Sequence, residues 1–147
     1  MTLTSALAAR CLVAALLLAC LPAAAQTAAL PPEGLLGTTD GAEVYRQICQ
    51  GCHMPDGRGA VGAGRYPGFV DNPAIASSRY MAITILAGRR NMPAFAPRDD
   101  GAWFQPTWLS NEQIAGVINY IRGNFGNSYT DPITAADVQA LNVPTGE

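Results

Sequence analysis

The chain has 147 residues, nine Lys plus Arg against eleven Asp plus Glu, a formal net charge of −2, 49% hydrophobic residues and four cysteines. That length holds one domain and a leader, and a mildly acidic chain with no lysine lacks the clustered basic surface that nucleic acid requires. Beyond residue 25 there remain two cysteines and one histidine, too few for a disulfide framework or for a structural zinc site with its roughly four ligands.

Residues 1–25 read as a secretory signal. Arg10 is their only charge, positions 11–21 are almost wholly apolar, and Ala23-Ala24-Ala25 supply the small residues for cleavage before Gln26. The apolar run is too short to stay in a bilayer as a spanning anchor. A competing reading takes Leu17-Leu18-Ala19-Cys20 as a loose bacterial lipobox, in which Cys20 is lipidated and the protein is tied to the membrane. Simple cleavage is the expectation, because the three alanines form a complete ordinary site. Export to the periplasm follows, and the mature chain then carries eight arginines against eleven acids, a net charge of −3.

Positions 26–39, rich in Ala, Pro, Gly and Thr, read as a flexible linker. The domain is expected over 40–126. Asp40 offers an N-cap, Glu43 three residues on completes a capping-box-like pair, and a helix over about 41–49 sets Val44, Tyr45 and Ile48 on one face.

That helix runs into Cys49-Gln50-Gly51-Cys52-His53, two cysteines three apart with a histidine directly after, the attachment pattern for a c-type haem. Residues i and i+3 share a helix face, so both sulfurs reach one edge of a haem while the next residue turns its imidazole under the iron. A dithiol redox site would need a βαβ setting that the chain does not suggest.

Between His53 and Asn72 lie five glycines, two prolines and few large apolar residues, which predicts a loop without regular structure, able to wrap closely around a flat ligand. Asn72-Pro73 reads as a helix entry. A second helix over about 78–87 is stopped by Gly88, with a buried strand as the alternative for its run of β-branched residues.

An iron held by His53 needs a sixth ligand, and no second histidine exists to supply it. Met54 adjoins His53, and Met81 sits mid-helix where methionine fills core. Met92, past the helix stop and held extended by Pro93, is the candidate. Trp103 and Trp108 follow; each indole N–H is a candidate partner for a haem propionate, Trp103 ahead of Trp108, against the plainer role of closing the core. The last long helix is capped by Ser110 with Gln113, stapled by Leu109 and Ile114, and striped by Ile114, Val117, Ile118, Ile121 and Phe125, with Gly126 as its stop. Positions 127–147 read as a peripheral tail with one short helix signalled by Thr134 and Asp137.

Taken together, Gly41 and Tyr45, the Cys49-Gln50-Gly51-Cys52-His53 motif, Tyr66-Pro67, Met92-Pro93-Ala94-Phe95 and Tyr120-Ile121 resemble a bacterial class I cytochrome c. The resemblance implies an all-α fold of about three main helices and loops wrapped around one covalent haem c. It implies that the first and last helices cross near Gly41, Tyr45 and Tyr120, and that the Pro67 carbonyl accepts from His53 Nδ1. The implied site is thus Cys49, Cys52, His53, Pro67 and Met92, with His53 and Met92 as metal ligands and no catalytic residue. The expected activity is one-electron transfer from a periplasmic dehydrogenase toward a downstream cytochrome or oxidase. The alternative is a haem enzyme or ligand sensor with a displaceable sixth ligand. Six of the eight mature arginines, Arg58, Arg65, Arg79, Arg89, Arg90 and Arg98, fall between the haem motif and Trp103, with Arg89 and Arg90 expected near the exposed haem edge.

Overall fold

A computed structural model describes residues 36–62, 64–96, 107–141 and 143. The leader with its two processing readings, Trp103 and Arg98 lie outside the described residues.

The first helix, α1, is one run of three pieces: an α-helical turn Gly41–Val44, a π-helical stretch Tyr45–Cys49 and a second α-helical turn Gln50–His53. It therefore continues through the Cys-Cys-His motif instead of ending at Cys49. Asp40 caps it by accepting from the Glu43 backbone N–H at 2.8 Å. The reciprocal half of the box is missing, because the Glu43 carboxylate turns to Arg46 and Gln47. Pi-helical turns are rare and mark places where a helix face must be re-aimed; here the widened turn lies between buried Tyr45 and the motif.

The loop after α1 contains a two-stranded antiparallel ribbon, β1 Ala60–Val61 and β2 Arg65–Tyr66, where no regular structure was expected. Asn72 accepts from the Ala74 N–H at 3.1 Å and opens a 3-10 turn, Pro73–Ala76. Helix α2, Ser78–Ala87, is capped by Ser77 and ends at Gly88 with φ 72°, so the strand alternative is set aside. Met81, Ala82, Ile85 and Leu86 form its buried face.

Helix α3, Asn111–Gly123, has the full Ser110–Gln113 capping box. Ile114, Val117, Ile118 and Ile121 are all buried, each contributing roughly 1.5–3 kcal/mol relative to an exposed side chain. The helix stops three residues before Gly126. The side-chain amides of Asn124 and Asn127 donate to the Tyr120 and Ile121 carbonyls at 2.8 and 3.2 Å, occupying acceptors that another turn would need. Phe125 thus reaches the core from a left-handed turn, φ 56°, and not from the helical stripe.

Helices α1 and α3 cross where two glycines face each other. A Cβ on Gly41 would run into the Gly116 carbonyl and come within 2.9 Å of Tyr120 Cβ, and one on Gly116 would sit 2.6 Å from the Thr39 carbonyl oxygen. Gly41, Tyr45 and Tyr120 meet there as the resemblance implied, Tyr45 and Tyr120 with ring centroids 5.6 Å apart. Gly116 was not anticipated.

The C-terminal segment is less peripheral than expected. Its short helix, α4 Ala135–Gln139, carries the predicted Thr134–Asp137 capping box, but Ile133 and Val138 are buried in the main core. Asn119 holds Ile133 with paired bonds of 2.9 Å each way. Arg122, only 2% exposed, donates to the carbonyls of Ile75, Ala76 and Asp131, pairs with the Asp131 carboxylate at 2.7 Å and lies 4.8 Å from the Tyr129 ring. One buried cation thereby joins α3, the 3-10 turn and the tail.

Candidate functional site

The last turns of α1 deliver Cys49, Cys52 and His53. Cys49 is half-buried against the core, Cys52 is exposed, and neither is in a disulfide. Burial, then the neighbouring Cys52, pushes the Cys49 thiol up to about 12. Such a thiol is neutral at ordinary pH, unlike the depressed thiolate on which a dithiol redox site depends. Among the described residues no group of three or more His, Cys, Asp or Glu is gathered to hold a metal ion.

His53 is held on several sides. Its Nδ1 lies 2.9 Å from the Pro67 carbonyl oxygen. A carbonyl only accepts, so Nδ1 carries the proton and Nε2 keeps its lone pair for a metal. Burial lowers the His53 pKa, partly opposed by the Pro67 bond. Phe69 stacks on the imidazole, centroids 4.7 Å apart and planes 24° from parallel. Behind His53 the chain leaves the helix at Met54 with φ 64°, and the buried Tyr45 hydroxyl donates to the Met54 carbonyl at 2.6 Å. Burial, then Cys49, raises the Tyr45 phenol far above its ordinary range, so it remains a donor.

The glycine loop closes against this arrangement. The Gly59 N–H donates to the His53 carbonyl at 3.1 Å and the Phe69 N–H to Gly57 at 2.8 Å. Gly59 has φ 69°, and a Cβ on it would run into the Tyr66 carbonyl oxygen and the Pro67 backbone. Only glycine lets the 57–59 and 66–68 strands of the loop touch here.

Met92 lies beyond the end of α2. Arg89 and Met92 exchange backbone bonds of 2.9 and 3.0 Å, and the Phe95 N–H returns to the Ile85 carbonyl at 2.9 Å. The Met92 side chain is half-buried against the core, while Met81 is 7% exposed within it. Met81 is therefore the core residue and Met92 the methionine on a separate loop. Phe69 was missed in the sequence; its one signal was a lone large apolar residue after Pro67-Gly68 in a loop otherwise poor in them.

A family model described as cytochrome c matches residues 38–124. This chain belongs to the cytochrome c family. The cytochrome carries a covalently attached c-type haem, for which Cys49 and Cys52 stand in the required spacing. Similar proteins include the fructose dehydrogenase cytochrome subunit of Gluconobacter japonicus, 36% identical over 104 residues, or 64% of this chain and 20% of that protein. The gluconate 2-dehydrogenase cytochrome c subunit of Pantoea cypripedii is 33% identical over 107 residues, 69% of this chain and 23% of that protein. Cytochrome c-552 of Thermus thermophilus is 28% identical over 116 residues, 72% and 76% of the two chains. The cytochrome thus spans only about a fifth of the length of the two dehydrogenase subunits.

The residues present fit a haem. Among the described residues the buried polar side chains Ser110, Gln113 and Arg122 are all hydrogen-bonded, and Trp108 Nε1 is the buried side-chain polar atom left without a partner. An orphaned buried N–H is costly, and a propionate carboxylate is the acceptor it suits. Trp108, the second choice in the sequence, thus has a donor to give. No helix among the described residues is long and apolar enough to cross a membrane.

Proposed function

We propose that this cytochrome is a one-electron carrier in which Cys49 and Cys52 would anchor the haem, His53 Nε2 and the Met92 thioether would bind its iron, and a periplasmic dehydrogenase supplies the electrons. The observation that carries the reading is the 2.9 Å contact of His53 Nδ1 with the Pro67 carbonyl, which fixes the tautomer and leaves Nε2 as the ligand atom. When bound, the haem supplies an iron centre that changes by one electron at a potential raised by the Met/His pair. With both His53 and Met92 holding the iron, no position would be left for a substrate, and the protein would carry electrons rather than transform a molecule. Trp108 donates its free N–H to a propionate.

The dehydrogenase subunits among its relatives support a dehydrogenase as donor; a downstream cytochrome or oxidase is the acceptor. The leader at 1–25 supports export to the periplasm, with lipid anchoring at Cys20 as the route to a membrane-bound form. Arg89 and Arg90, separated from Met92 by Asn91 alone, are exposed. The Arg89 guanidinium donates to the Tyr80 hydroxyl at 2.7 Å and lies 5.9 Å from that ring. A cation held this way offers a preorganised contact to carboxylates of a docking partner.

The test is a reductive titration of the purified holoprotein followed optically. A single one-electron step per chain is expected, with a low-spin spectrum in both oxidation states and no added ligand. A high-spin ferric form that binds cyanide tightly would overturn the carrier reading.

A further inference from the structure

The contacts around His53 include one that the Pro67 bond does not explain. A hydrogen bond from Nδ1 fixes one edge atom and its direction, but the imidazole can still turn about the Nδ1–oxygen line. What removes that freedom is a surface against the face of the ring. Phe69 provides it: 4.7 Å between centroids at 24°, an offset stack within the range in which aromatic pairs attract. The other aromatic contacts of Phe69 are steeply tilted, 65° to Tyr45 and 41° to Phe125.

The Phe69 ring is itself immobilised. It is 7% exposed, packs against both Tyr45 and Phe125 with centroids 6.0 and 5.7 Å away, and its backbone N–H donates to Gly57 at 2.8 Å. The preceding peptide is pinned by the Asn72 amide, which donates to the Gly68 carbonyl at 2.8 Å. The edge contact and the face contact on His53 therefore come from one tripeptide, Pro67-Gly68-Phe69, whose two ends cannot move independently.

We infer that Phe69 is a positioning residue for the axial histidine: it sets the plane of the His53 imidazole, and so the direction in which the ring π-system meets the iron d orbitals. This rests on the reading of His53 as an iron ligand. The orientation of an axial imidazole decides how those orbitals split, which appears in the largest g value of the ferric protein and in the spread of its hyperfine-shifted haem-methyl resonances. Neither quantity responds to a loss of packing elsewhere in the core.

The experiment measures both, with thermal midpoints, on the holoprotein and four variants. Phe69→Leu and Phe69→Met remove the aromatic face while keeping most of the volume. Phe69→Tyr keeps the face. Phe125→Leu removes a ring that touches Phe69 and Tyr45 but makes no aromatic contact with His53. The expected result is that the two aliphatic Phe69 variants shift the largest g value and the methyl spread, Phe69→Tyr keeps wild-type values, and Phe125→Leu lowers the midpoint with both spectra unchanged. Wild-type spectra in a folded aliphatic variant would overturn the inference, as would an equal change in Phe125→Leu, or loss of haem from both aliphatic variants, which would make the ring a folding requirement. Failure of the underlying ligand reading looks different, since the wild type itself would then show no low-spin histidine-ligated spectrum.

Discussion

Around His53 the restraints are side chains and carbonyls drawn from two other segments, Pro67 on the ring edge and Phe69 on its face from the loop, and Tyr45 behind it from α1. Around Met92 they are backbone bonds within a few residues and back to the end of α2. The first arrangement fixes the orientation of one particular ring. The second fixes where a loop runs and leaves the side chain at its tip to be exchanged at little cost to the fold. Damage on the histidine side should therefore disturb cofactor and stability together, whereas damage on the methionine side should change the iron and spare the protein.

The largest effect expected is loss of the cofactor. Replacing both Cys49 and Cys52 with Ala removes covalent haem, visible as the disappearance of haem stain on denaturing gels; a normal signal would refute the attachment site. The two methionines divide the comparison more finely. Met81→Ala should cost about 2–5 kcal/mol in denaturant unfolding with an unshifted potential. Met92→Ala should cost less stability than Met81→Ala, lower the potential and admit cyanide, and the reverse pattern would exchange their roles.

Gly59→Ala tests the interlocked loop. A side chain there must adopt a left-handed backbone and displace the Tyr66 carbonyl, for an expected loss of roughly 2–3 kcal/mol with partial loss of haem on mild heating. Arg89→Glu plus Arg90→Glu should slow reduction by the native dehydrogenase about tenfold at low salt through the association rate. The potential should not move, and stopped-flow traces across an ionic-strength series would reveal an unaffected rate if docking lies elsewhere.

The smallest effect concerns acid. The hydrogen bond from Arg122 holds the Asp131 carboxyl below its ordinary value of 3.8, and Thr134 does the same for Asp137. Because the folded value is the lower one, their contribution is complete above the ordinary value and fades as pH falls through the folded one. Asp131→Asn should lower stability near neutrality, where the carboxylate is ionised, and the deficit should shrink as pH falls below about 4, flattening the acid limb of the stability curve.

Local signals carried much of this architecture. Asp40, Ser110 with Gln113, and Thr134 with Asp137 cap helices through bonds spanning three residues, so the rules of helix ends suffice to read them. The Cys-Cys-His motif is equally local, and the Met92 loop was marked by Gly88 and Pro93. What escaped were contacts between distant segments. Gly116 reads as an ordinary weak spot in a helix until Gly41 is placed against it. Phe69 gains meaning only when the loop folds back on His53. Arg122 lies four residues after Ile118, on the edge of the apolar stripe. That position was the available hint that its charge is buried and must be met by a partner from beyond the helix.

The buried guanidinium also bears on how far the folded unit extends. The family match ends at residue 124, yet Arg122 takes two of its bonds from Asp131, and a buried cation stripped of its partners costs several kcal/mol. A polypeptide ending at the match boundary would have every helix that frames the site and still carry an uncompensated charge against the 3-10 turn. Residues beyond the match are thus the ones that let α3 seat fully, so that the docking of α3 and the wrapping of the segment after it become a single cooperative event.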